Sequence, residues 1–161
     1  MRQPPAALLA ALVLTIAAPA AAGDREGFLV GGSFGFNASN DCDHCELGAG
    51  PSLTVYAGAT LRPQLAVLGE LSMDAISDGH EGASSGYFGA IGAVQYFPIR
   101  WLWVGAGAGV ADDGPIAAAQ AGIDFRSRSR FGIDLRGRYA RRIDESDGRR
   151  TVAVSVGFTW Y

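Results

Sequence analysis

The chain lacks most of what a helical or nucleic-acid-binding protein is built from. Beyond its N-terminus no run approaches the ~18 continuous apolar residues of a membrane helix. No later segment of a helical window's length (~11 residues) shows the 3.6-residue period. Basic residues form few runs and the net charge is −3, so nothing resembles a nucleic-acid footprint. There are 2 cysteines and 2 histidines, so thiol, imidazole and metal chemistry can come only from Cys42, Cys45, His44 and His80. The Gly105-x-Gly-x-Gly109 run is not a nucleotide loop, because the turn Asp112-Asp113-Gly114-Pro115 follows it where a helix would be needed.

What is present begins with an export signal. Arg2 supplies a positive start, residues 6–18 are an apolar run, Pro19 breaks it, and Ala20-Ala21-Ala22 provides a small-x-small cleavage pattern. Residues 1–22 are therefore expected to be a signal peptide, and 23–161 one domain. No cysteine follows the cleavage position, so no lipoprotein anchor is expected.

The other end is the most regular part of the chain. Val152, Val154, Val156, Phe158 and Trp160 alternate with Ala153, Ser155, Gly157 and Thr159. A period of two puts the large apolar groups on one face of a strand. About eight such stretches are predicted, over 27–38, 47–61, 64–75, 86–97, 101–110, 116–125, 131–142 and 151–161. Each is near the ~9–11 residues that carry a tilted strand across a bilayer. The expected fold is an all-β, antiparallel, up-and-down transmembrane barrel of about eight strands. A soluble β-sandwich alternates equally well, but it fits poorly with Phe, Val and Leu on one face of every strand and Gly and Ala on the other.

The connections support that reading. Those at 62–64, 98–100 and 127–129 are tight, whereas 40–46, 77–85, 112–115 and 144–148 are longer or more polar. Outer-membrane barrels keep short turns in the periplasm and longer loops outside. Arg62, Arg100, Arg126 and Arg128 fall at the short turns, and Asp41, Asp43, Glu46, Asp78, Glu81, Asp112, Asp113, Asp144, Glu145 and Asp147 at the longer loops. Tyr96, Phe97, Trp101, Trp103, Phe125, Phe131, Phe158, Trp160 and Tyr161 gather towards the short-turn side, where an interfacial aromatic girdle is expected.

The opposite face of each strand would line the interior. It carries Glu70, Asp74, Gln95, Gln120, Asp124, Arg126, Asp134, Arg136, Arg138 and Arg142, with strand five contributing only Gly105, Gly107 and Gly109. Eight strands enclose a space that side chains can fill, and buried charges must be paired or solvated. Glu70, Asp124 and Asp134 are expected to face Arg136 and Arg138 in a lumen ion network. Its first reading is a structural plug. A gate, with Arg136 or Arg138 exchanging carboxylates, is the second.

Three local features carry chemistry. Cys42-Asp43-His44-Cys45, in an exported chain, is expected to be a short disulfide; one CxxC supplies too few ligands for structural zinc unless Asp43, His44 or a second chain helps. His80, near Asp78, Ser84 and Ser85, offers a base, an orienting carboxylate and a nucleophile on one loop. The acidic loops offer oxygens to divalent cations, though such charges mostly solvate a loop. No cofactor or metal is expected.

With signal, strand parity and terminal strand together, residues 24–161 resemble the small bacterial outer-membrane β-barrel family. The resemblance implies residence in the outer membrane of a Gram-negative bacterium, contact with its lipids and lipopolysaccharide, and a monomer. It also implies that the terminal strand is read by the barrel-assembly machinery, here through Phe158 and Trp160, with Tyr161 one residue out of phase. No peptidoglycan-binding domain is recognised, so a cell-wall tether is not expected. A non-enzymatic barrel with a structural or surface-interaction role is the first functional expectation. A lipid A-modifying hydrolase and a narrow small-solute conduit are the alternatives.

Overall fold

The computed structural model describes residues 27–40, 48–77, 84–126, 130–143 and 149–161. Eight strands follow in order: β1 (Gly27–Asn40), β2 (Gly48–Arg62), β3 (Leu65–Ser77), β4 (Ser84–Ile99), β5 (Leu102–Ala111), β6 (Gly114–Arg126), β7 (Phe131–Arg142) and β8 (Arg150–Trp160). Each pairs antiparallel with its sequence neighbours. β1 pairs with β8 from Val30↔Trp160 to Asn40↔Arg150, which closes the barrel. Closure leaves no strand edge open, the condition for a sheet to stand in lipid.

The alternation read from the sequence is the inside–outside pattern of this barrel. Phe34 is 59% exposed and Val154 57%, while Ser33 and Ser155, their neighbours in the chain, are buried. On β8 the outward apolar positions run from Val152 to Trp160. Eight steps of ~3.3 Å, on a strand tilted ~40°, cover ~20 Å of depth, close to the ~25 Å apolar band of outer-membrane barrels. The band ends where Arg141 and Arg150, ladder partners on β7 and β8, take the same outward face.

Two ends are distinct. At the turn end, residues 63–64 join β2 to β3 and 100–101 join β4 to β5, and Tyr161 lies beside this rim, its N–H donating to the Arg130 carbonyl. Pro98, which has no N–H for a ladder, sits inside the irregularity between Tyr96 and Ile99. At the loop end, β5 and β6 are joined by Asp112-Asp113 alone. That connection is polar, as expected, but it is as short as the turn-end connections. Gly114 follows it at φ 136°, a conformation that side chains disfavour. The Asp112 carboxylate accepts from the Phe88 N–H at 2.8 Å, and the Asp112 N–H donates to the Phe88 carbonyl at 3.1 Å, pinning the hairpin to β4.

Candidate functional site: the barrel lumen

The turn-end half of the lumen is filled with large apolar side chains. Leu29, Tyr56, Ala66, Leu68, Phe97 and Trp103 form one buried cluster, with Tyr161 packed against it. This corrects the sequence reading at three positions. Phe97 is 1% exposed and Trp103 2%, so both belong to the interior and not to the interfacial girdle. Tyr161, out of phase with Trp160, turns inward. Its hydroxyl donates to Asp124 at 2.8 Å, and the Arg126 guanidinium lies 4.3 Å from its ring centroid. β5 likewise contributes more than glycines, since Trp103 shares the inward face with Gly105, Gly107 and Gly109. The missed signal was phase: Trp103 is an even number of residues from each of these glycines.

Small residues on the neighbouring strand make room for these groups. Trp103 pairs with Gly122 and Tyr56 with Gly31. A Cβ on either glycine would come within 2.5 Å of the aromatic ring.

Above the apolar plug lies the ionic layer. Arg136 Nε donates to Asp134 Oδ1 at 3.2 Å, and its Nη1 is 4.0 Å from Glu70 Oε1. Its guanidinium stands 4.2 Å from the Tyr56 ring centroid and 4.9 Å from that of Trp103. Burial and desolvation make such cation–π contacts stronger than exposed ones. Asp134 also accepts from Tyr56 Oη and Thr159 Oγ1, at 3.3 and 3.2 Å. Gln120 donates to Glu70 at 2.9 Å.

The five predicted network residues all face inward, at different depths. Glu70, Asp134 and Arg136 meet at the middle. Asp124, the ladder partner of Asp134, receives the Tyr161 hydroxyl below. Arg138 turns the other way, towards the loop end, and pairs with Asp74 at 2.8 Å; Ser52 donates to the same carboxylate at 2.5 Å. Asp74 has the inward phase and, beyond the five predicted residues, is a further carboxylate of the network. The reach of an arginine side chain decides which carboxylate it meets, and sequence phase does not record that.

The loop end opens a third zone. A cavity of about 40 Å³ is bordered by Asp74, Tyr87, Asp113, Arg138, Arg142 and Arg149, among others. Arg149 pairs with Asp113 at 2.7 Å and lies 3.4 Å over the Tyr87 ring. The sequence reading assigned this end to acidic loops, yet Arg138, Arg141, Arg142, Arg149 and Arg150 all stand near it.

The remaining candidates are placed less fully. Cys42, Cys45, His44, Asp78 and His80 lie outside the described residues. Ser84 and Ser85 begin β4, opposite Ser77 and Ile76. Phe158 and Trp160 face outward on β8, and Phe158 stacks on Phe131 at 5.9 Å between centroids. Among the described residues no group of three His, Cys, Asp or Glu could hold a metal ion.

No family profile matches the sequence, and no curated protein matches it significantly. Solved structures do. Neisserial surface protein A superposes with a TM-score of 0.67 at 13% identity, over 83% of this chain and 96% of that one. The outer membrane protein AlkL, solved in DMPC bilayers, gives 0.53 at 18% identity, over 86% and 91%. Ail, the attachment invasion locus protein of Yersinia pestis, gives 0.51 at 18%, over 84% and 98%. At these identities the likeness concerns the fold: a closed eight-stranded barrel of the outer-membrane type.

Proposed function

We propose that this outer-membrane β-barrel is non-enzymatic and sealed, and that it acts through its outer end in a structural or surface-interaction role. The observation that carries the reading is the stack of Arg136 between Tyr56 and Trp103, above a lumen filled by Leu29, Leu68 and Phe97. Eight strands leave an interior just wide enough for side chains to fill, whereas aqueous channels belong to larger barrels. With the turn end plugged, the surface available to the outside is the loop end and its polar cavity.

The reading includes export through residues 1–22, insertion by the assembly machinery through Phe158 and Trp160, and a monomer whose apolar band contacts lipid. Arg141 and Arg150 stand at the upper edge of that band, at the level where lipopolysaccharide phosphates lie.

Liposome swelling tests it. Vesicles carrying the folded protein should take up a small sugar no faster than empty vesicles. Protein-dependent influx would overturn the seal and favour the conduit.

A further inference from the structure

The loop-end cavity contains an arrangement that the plug does not explain. Two arginines, Arg138 on β7 and Arg149 just before β8, each spend part of the guanidinium on a carboxylate and hold the rest in reserve. Arg138 gives Nη2 to Asp74 at 2.8 Å, and Arg149 gives Nη2 to Asp113 at 2.7 Å. Their side chains are only 6% and 9% exposed, and both border the same cavity. In each, Nη1 is buried with no hydrogen-bond partner among the described residues. Asp113 Oδ1, bordering the same space, is a buried acceptor in the same condition. A buried guanidinium nitrogen without an acceptor has lost its hydration with no hydrogen bond in exchange, so two in one cavity mark a place where an acceptor belongs.

We propose that this cavity binds a small soluble oxyanion, a phosphate, sulfate or carboxylate group, between Arg138 Nη1 and Arg149 Nη1. A hydroxyl on the same ligand donates to Asp113 Oδ1. The chemistry follows from the donors: guanidinium groups bind planar and tetrahedral oxyanions by charge-assisted hydrogen bonds. The Asp74 and Asp113 pairs fix both guanidinium planes beforehand, and the Arg149 stack on Tyr87 holds the second against the wall. The volume suits a group of phosphate size. Most of its lining, Ser72, Ile76, Ile91 and Arg138 among it, belongs to the buried inward face, and the ligand of this proposal is accordingly a soluble one. This deepens the sealed-barrel reading, since a plugged lumen holds such a ligand and does not pass it.

The test is calorimetric titration of inorganic phosphate into the full folded barrel, in a phosphate-free maltoside detergent. Saturable binding at one site is expected, weakened about tenfold or more in Arg149→Gln, as for loss of a charge-assisted contact. Arg150→Gln, which alters the lipid face of β8, should bind as the parent does. Arg138→Gln should also weaken binding, and Arg149→Gln decides the matter if loss of the Asp74 partner impairs folding. Absence of saturable binding by the parent, or unchanged binding by Arg149→Gln, would overturn the site. The swelling assay is read separately: leaky vesicles with intact phosphate binding sink only the seal, and tight vesicles with no binding sink only the site.

Discussion

The indole of Trp103 lies against Gly122, its ladder partner on β6, so closely that a Cβ there would stand 2.5 Å from ring atoms. The large residue and the empty position form one unit of the plug. Gly122→Val should lower the urea midpoint of the folded barrel by an amount equivalent to ~1–3 kcal/mol, the usual penalty of overpacking. Combining it with Trp103→Ala should recover part of that loss. A double variant no better than the sum of the singles would show that the two sites do not share the space.

Arg136 pairs with Asp134 at 3.2 Å and stands 4.0 Å from Glu70. Arg136→Leu should destabilise the barrel by ~3–5 kcal/mol, because it leaves buried carboxylates uncompensated. Adding Glu70→Gln and Asp134→Asn to Arg136→Leu should restore much of the stability. Arg136→Lys should be a poor substitute, since an ammonium cannot reproduce a planar group stacked between two rings. Denaturant midpoints of the series check all three statements.

The lipid face gives a depth-dependent expectation. Val156 lies at the middle of the apolar band on β8, and Arg150 lies at its loop-end edge. Val156→Arg should cost ~2–4 kcal/mol in vesicles, and the same change at Val152, at the edge, distinctly less. In a soluble sandwich the two positions would respond alike and weakly.

At the C-terminus the neighbouring aromatics should separate by role. Tyr161→Phe removes a hydroxyl that donates to Asp124, and should cost about 1 kcal/mol while leaving assembly rates unchanged. Trp160→Ala strips an outward aromatic, and should slow assembly into membranes more than it lowers final stability. Refolding kinetics into vesicles, beside equilibrium midpoints, distinguish the two.

The sequence made the barrel legible because alternation at a period of two is a direct record of lipid on one side and protein on the other. It also placed Glu70, Asp134 and Arg136 on the inner face correctly, since phase is conserved along each strand. What it could not record was distance across the lumen. Arg138 on β7 reaching Asp74 on β3, and Arg149 before β8 reaching Asp113 in the β5–β6 turn, depend on how the barrel curves round to bring them together. Phe97 and Trp103 read as girdle residues because aromatics near strand ends suggest one, although their phase points inward, where both are buried. The Asp112-Asp113 connection is legible as polar, but its two-residue length, equal to that of the turn-end connections, depends on where β5 and β6 stop pairing.

Whether aromatic side chains and Arg136 seal this barrel is read by single-molecule conductance in a planar bilayer. The parent protein should insert without resolved current steps, and Tyr56→Ala combined with Trp103→Ala should produce small, reproducible ones. A steady ohmic conductance from the parent, unchanged by the double substitution, would mean that the lumen is open and that these side chains do not seal it.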